Sequence, residues 1–208
     1  MLTFIQRIRI GMESNVIFVS EEYRALNAQL HKHSTRRRKE FGADGRKWVN
    51  MLLPILHQFK VRSLLDYGCG KETLWKTLRN SYGEWGQLPN YVGYDPCVKG
   101  KEELPKGQFD MVVCTDVLEH VEPEYLNNVL AHICMLTGKV IFFNIALLPA
   151  ITLLPDGSNA HQIVESSDWW GRKLLGFFPY GLWRWKEIEN DRPYKRLHLM
   201  MERIVCTQ

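Results

Sequence analysis

Apolar positions change their period along this chain, and the change marks out its elements. Between residues 20 and 60 they recur at three- and four-residue spacing. Tyr23, Leu26 and Leu30 share a helical face after Ser20, a capping residue followed by Glu21 and Glu22 in the first turn. Trp48, Leu52, Leu56 and Phe59 share another, on a helix predicted to start near Gly45 and to bend at Pro54. Beyond residue 60, short apolar runs alternate with helical patterns. They predict strands at 63–66, 91–95, 111–115 and 140–145, and helices at 71–80 and 123–136. The second of these helices has Pro123 in its first turn, one stripe of Leu126, Val129, Leu130 and Ile133, and Gly138 just past its end. Ser166 or Ser167 caps a short helix bearing Trp169, Trp170 and Leu174. Two last strands, 183–188 and 197–205, flank turn residues at 189–193 and pair as a hairpin.

This alternation predicts an α/β fold: a doubly wound, mostly parallel sheet with a C-terminal antiparallel hairpin. Residues 1–60 form a helical cap ahead of a domain spanning 61–208. With 208 residues, 45% of them apolar, the chain builds a sizeable core, which excludes a disordered protein. A net charge of +4 is too mild for a protein that coats nucleic acid. The cysteines at 69, 97, 114, 134 and 206 are odd in number and lack paired short spacing. They read as reduced thiols in a cytoplasmic protein, with no zinc site or disulfide framework. Arg7 and Arg9 interrupt the N-terminal apolar stretch, so it fails as a signal peptide. The most apolar run, 140–155, contains Asn144 and Pro149 and is shorter than the roughly 20 residues of a membrane span. It reads as a buried strand and a loop, and no membrane partner is expected. The basic run Arg36, Arg37, Arg38 and Lys39 reads as a solvated loop, with phosphate contact to nucleic acid as the other reading.

The chemistry concentrates at strand ends. In SLLDYGCGKETL a strand ends in Asp66, turns through Gly68 and Gly70, and opens a helix whose free amides offer donors. A tight turn alone accounts for the glycines but not for the acid before them. A dinucleotide fingerprint needs a third glycine, where this chain has Thr73, which disfavours a nicotinamide-dependent oxidoreductase. No GK[ST] follows to make a phosphate-binding loop. Asp95 ends the second strand, where a ribose-hydroxyl acceptor belongs, and Thr115 and Asp116 end the third. Three acids thus fall at three successive strand ends.

These segments resemble motifs of the class I S-adenosylmethionine-dependent methyltransferases. LLDYGCG resembles their first motif, YVGYDP their second, and FDMVVCTDVLEHV their fourth-strand motif, over residues 61–145. Residues 15–50 and LPDGSNAHQIVESSDWW also resemble segments of short methyltransferase-like proteins of phages and bacteria. The resemblance implies S-adenosylmethionine as cofactor. It places Asp66, Gly68 and Gly70 around the methionine portion and Asp95 on the ribose. Thr115 and Asp116 fall near the adenine or the methyl-transfer mouth. The acceptor side falls to Glu119, His120, Asn159 and His161. His161 is the candidate general base and His120 the second, each weighed against a purely structural hydrogen-bonding role. Tyr23 is a candidate to close over the cofactor, and Trp48 reads first as core.

Two departures from the family pattern stand out. Glu72 brings a carboxylate close to that of the methionine unless it points away or pairs, and 96–108 is too short for the usual helix and strand. No [DNS]PP[YFW] motif is present, which favours a small-molecule acceptor over a DNA base. The alternatives are an inactive S-adenosylmethionine-binding scaffold or regulator, and a nucleic-acid methyltransferase.

Overall fold

The computed structural model describes residues 16–33, 42–81, 87–178, 181–189 and 195–203. The basic run at 36–39, the turn at 190–194 and Cys206 lie outside the described residues.

Helix α1 (Glu21–His33) is capped as expected, the Tyr23 amide donating to Ser20 Oγ at 3.0 Å. A 3-10 turn (Asp44–Trp48) then leads into α2 (Val49–Gln58), with Pro54 inside the helix. The expected helix therefore begins in the tighter form and becomes α-helical only at Val49. There follow β1 (Ser63–Tyr67), α3 (Thr73–Ser81), β2 (Asn90–Tyr94), β3 (Phe109–Thr115), a 3-10 turn (Leu118–His120), α4 (Leu126–Leu136), β4 (Thr137–Ala146), α5 (Ser167–Phe177), β5 (Gly181–Glu189) and β6 (Lys195–Arg203).

The sheet order is β2-β1-β3-β4-β6-β5. The first four strands are parallel, and β6 pairs antiparallel with both β4 and β5. From β1 the chain moves to one side to make β2, then crosses to the other side to make β3. That reversal opens a crevice at the carboxyl ends of β1 and β3. Residues 95–108 form neither helix nor strand, so β2 is the edge of the sheet, as the shortness of that segment implies.

Period-2 alternation sorts the apolar runs onto two buried faces, as a covered parallel sheet requires. Leu65, Val112, Ile141 and Phe143 face α4 and α5, in a core that includes Leu130, Leu174 and Trp170. Leu64, Met111, Val113 and Phe142 face α2 and α3, and there Trp48 is core. Tyr23, Leu26 and Leu30 of α1 pack with Val19, Leu154 and Ala160.

Two expectations around α4 are corrected. Pro123 precedes the helix rather than opening it, because the Tyr125 amide bonds three residues back to Glu122 and the regular spacing begins only with Val129 on Tyr125. Gly138 is no helix cap. Strand β4 starts at Thr137 directly after the helix, and a Cβ on Gly138 would stand 2.8 Å from the Phe109 carbonyl oxygen. Close approach of β3 is what requires glycine there.

Replacing Leu130, fully buried beneath the sheet, with alanine is expected to destabilise the chain by about 2–5 kcal/mol. Leu175→Ala, at a half-exposed position on α5, should stay within about 0.5 kcal/mol. Urea denaturation midpoints of the two variants measure the contrast.

Candidate active site

The turn after β1 is built by backbone amides. Gly68 and Cys69 donate to the Tyr94 carbonyl at 2.7 and 3.0 Å, and Gly70 donates to Asp95 Oδ2 at 3.0 Å. Both glycines hold positive φ, +80° at Gly68 and +48° at Gly70. Neither has room for a side chain. A Cβ on Gly68 would lie 2.2 Å from Val117 Cγ2, and one on Gly70 would lie 2.5 Å from the Gly42 carbonyl oxygen. That same carbonyl accepts the Lys71 amide at 2.9 Å, so residue 42 supports the turn from outside.

Asp95 accepts from Gly70 with one oxygen and from the Cys97 amide with the other, at 2.9 Å. Each carboxylate oxygen has a second lone pair for a ligand. Burial raises its pKa, while these amides and the nearby His31 favour the charged form. Asp66 is only 3% exposed, and burial pushes its pKa up to about 7. The Tyr91 hydroxyl, donating at 3.2 Å, opposes that rise, and Asp95 and Glu72 add to it. Glu72, the departure noted in the sequence, is paired: Lys101 Nζ donates to its Oε1 at 2.5 Å.

Across the crevice, Asp116 follows β3 with φ +56°, its amide donating to the Asn144 carbonyl at 2.9 Å. Glu119 is fully buried. Its Oε1 accepts the Ala146 amide at 2.9 Å, and its carbonyl accepts those of Gln162 and Ile163 at 2.7 and 3.0 Å. Those bonds bring the loop after β4 over the crevice. His120 Nδ1 lies 2.8 Å from the Ala160 carbonyl oxygen, and burial lowers its pKa to about 3, so the ring is neutral. His161 Nδ1 lies 2.6 Å from the Leu148 carbonyl oxygen.

Asp66, Gly68, Gly70, Asp95, Thr115, Asp116, Glu119, His120 and His161 all line one cavity of about 900 Å³. Tyr23, Asn27 and His31 of α1 line it too, and the Tyr23 hydroxyl donates to the Ala160 carbonyl at 3.3 Å. Asn159 is placed differently. Its amide group bonds both ways to Ala150, at 2.9 and 2.8 Å, and its Oδ1 also accepts the His161 amide. It shapes the loop.

Sequence reading missed Tyr91, Lys101, Gly42 and His31. Of these, only Tyr91 carried a signal, as a tyrosine near the start of the strand that pairs with the one bearing Asp66.

A family model described as a methyltransferase domain matches residues 34–181. No curated protein matches the sequence. Among solved structures, the chain is similar to the 1,6-didemethyltoxoflavin-N1-methyltransferase of Burkholderia thailandensis, at 13% identity and TM-score 0.55, covering 91% of this chain and 92% of that one. It is similar to the plantazolicin methyltransferase BpumL, at 11% and 0.52, covering 97% and 100%. It is also similar to the small RNA methyltransferase HEN1, at 10% and 0.54, covering 78% of this chain and 26% of that one.

Gly70→Ala combines a positive-φ penalty of about 1–2 kcal/mol with overpacking of about 1–3 kcal/mol. Gly107→Ala, at φ +80° with no atom near its Cβ position, should show only the first cost, as chemical denaturation can measure.

The raised pKa of Asp66 makes stability depend on pH. Between its unfolded value of 3.8 and its folded value of about 7, the folded state holds the extra proton. Its contribution is therefore complete below the lower value and is lost as pH rises through the upper one. Relative to Asp66→Asn, the wild type should lose on the order of 4 kcal/mol across that interval and change no further above it, read from denaturation midpoints at a series of pH values.

Proposed function

Because the chain belongs to the methyltransferase-domain family, we propose that it transfers the methyl group of S-adenosylmethionine to a small-molecule acceptor held in the cavity between the sheet edge and α1. The observation that carries this reading is convergence: the acid ending β1, the two glycines after it and the acid ending β2 meet in one cavity. Neighbours named for didemethyltoxoflavin, plantazolicin and small RNA share the fold, so the fold does not choose the acceptor. A concave volume of about 900 Å³, covered by α1 and the loop after β4, supports a small one.

The residues fit the cofactor. The glycine turn presents backbone without side chains, Asp95 keeps lone pairs that would hold the ribose diol, and Asp66 lines the same cavity with a carboxyl group that would hold the α-ammonium. Pairing with Lys101 offsets the charge of Glu72, which supports a methionine carboxylate nearby. When bound, S-adenosylmethionine supplies a methyl group on a sulfonium that leaves as a neutral thioether. The protein's share is therefore mainly alignment and exclusion of water. Within the N-terminal 60 residues α1 acts as the cap, supported by the place of Tyr23, Asn27 and His31 in the cavity wall, whereas α2 packs on the sheet as core. Glu119, His120 and His161 form the acceptor end. With Nδ1 of His161 turned to the Leu148 carbonyl, Nε2 is its basic nitrogen and receives the proton of an acceptor that arrives protonated.

Calorimetry with S-adenosylmethionine and S-adenosylhomocysteine tests this. Saturable binding is expected, absent with NAD and at least about 10-fold weaker in folded Asp95→Ala, which removes charge-assisted hydrogen bonds. No binding to the folded wild type would defeat the proposal.

Asp66 is half protonated near pH 7, so a cationic ligand expels its proton. Binding heat at that pH should vary with the ionisation enthalpy of the buffer, and affinity should rise as pH passes upward through 7. Asp66→Asn should remove both effects.

A further inference from the structure

Glu119, His120 and His161 bring a carboxylate and two imidazoles to one point in the cavity wall, their ligand atoms all within 4.8 Å of one another. The backbone does the aiming. Each ring turns Nδ1 to a carbonyl oxygen, His120 to Ala160 at 2.8 Å and His161 to Leu148 at 2.6 Å. A ring nitrogen facing a carbonyl carries the proton, so Nε2 is the basic nitrogen on both rings. Metal-binding histidines are oriented by the same device. The rings meet edge to face, with centroids 4.8 Å apart. Glu119 is steadied by the Ala146 amide on Oε1, and its own carbonyl anchors the loop that carries His161.

We propose that this cluster is a binding site for a divalent first-row transition-metal ion, held by the Glu119 carboxylate and Nε2 of His120 and His161, with its remaining positions open to the cavity. Two imidazoles and one carboxylate suit manganese, iron, cobalt or zinc. Magnesium and calcium prefer oxygen ligands throughout. Bonds near 2.1 Å place ligand atoms roughly 3–4 Å apart, so modest side-chain rotations close the site.

The open positions define an acceptor class, and this step rests on the methyl-transfer reading, whereas cation binding does not. An acceptor hydroxyl that coordinates the ion loses its proton to solvent more readily. Its oxygen lone pair then forms the bond to the methyl carbon as the carbon–sulfur bond breaks, the electrons of that bond staying on sulfur. With Nε2 coordinated, His161 holds the ion, so its role as proton acceptor belongs to the ion-free protein alone.

The test is titration of the metal-stripped full chain with cobalt(II) chloride, following the visible d–d absorption, with S-adenosylhomocysteine binding measured in parallel. One equivalent should bind, and affinity should fall at least about 10-fold in His161→Ala and in His120→Ala, each variant confirmed folded by circular dichroism. Absence of one-to-one binding in the folded wild type overturns the proposal, and so does unchanged affinity in both variants. Cobalt binding without S-adenosylhomocysteine binding leaves the cation site standing and removes the transferase reading alone.

Discussion

Three backbone amides, those of Gly68, Cys69 and Gly70, point at the end of β2, where the Tyr94 carbonyl and the Asp95 carboxylate receive them. This small lattice of hydrogen bonds closes the turn after β1 and fixes where β2 ends. It also holds the Asp95 side chain toward the cavity. It is possible only because positions 68 and 70 carry no side chain: Val117 stands against one and the Gly42 carbonyl against the other. The lattice is buried, so each amide left without its acceptor would carry the full cost of desolvation. The two strand ends therefore hold together, and the carboxyl groups of Asp66 and Asp95 share one low-dielectric space. Their proximity is part of why Asp66 keeps its proton to an unusually high pH.

A second tie point works on the opposite wall. Glu119 stands in a 3-10 turn three residues beyond Asp116, yet its side chain reaches the amide at the end of β4 and its backbone receives two amides from residues 162 and 163. One residue thus joins the β3 end, the β4 end and the covering loop. The loop in turn uses the Asn159 amide group to pin Ala150, and the Ala160 and Leu148 carbonyls to orient two histidines.

The sheet and its helices were legible in sequence because period-2 and period-3.6 patterns report burial directly. Strand ends were legible for a different reason: an acid or glycine after an apolar run breaks the pattern. What stayed hidden was every partner fixed by the third dimension. Nothing near Glu72 in sequence names Lys101 as its partner, and nothing near Gly70 names Gly42 beneath it. The basic face of α1 gave no sign that His31 would approach Asp95. Glu119, His120 and His161 were each singled out in sequence as candidates. Their joint geometry was not, because the loop carrying His161 is positioned by carbonyls that any residue could supply. Asn159 shows the converse: a polar residue beside the site, whose side chain the loop itself uses.

Helix α4 passes into β4 without an intervening residue, Leu136 ending one and Thr137 beginning the other. That junction contains no hinge. Helix and central strand share one stretch of chain and are packed on both sides of their joint, so the floor of the cavity behaves mechanically as a fixed plate. Among the described residues, α1 and the segment before it, which roof the cavity, are joined to the rest of the chain through side chains, by hydrogen bonds between Tyr23 and Ala160, Ser20 and Glu122, and Asn128 and the Ile17 carbonyl, and by the apolar contacts of Val19, Tyr23, Leu26 and Leu30. Compliance in this molecule is therefore one-sided. On the methyl-transfer reading, admission of reactants and escape of products fall to the roof.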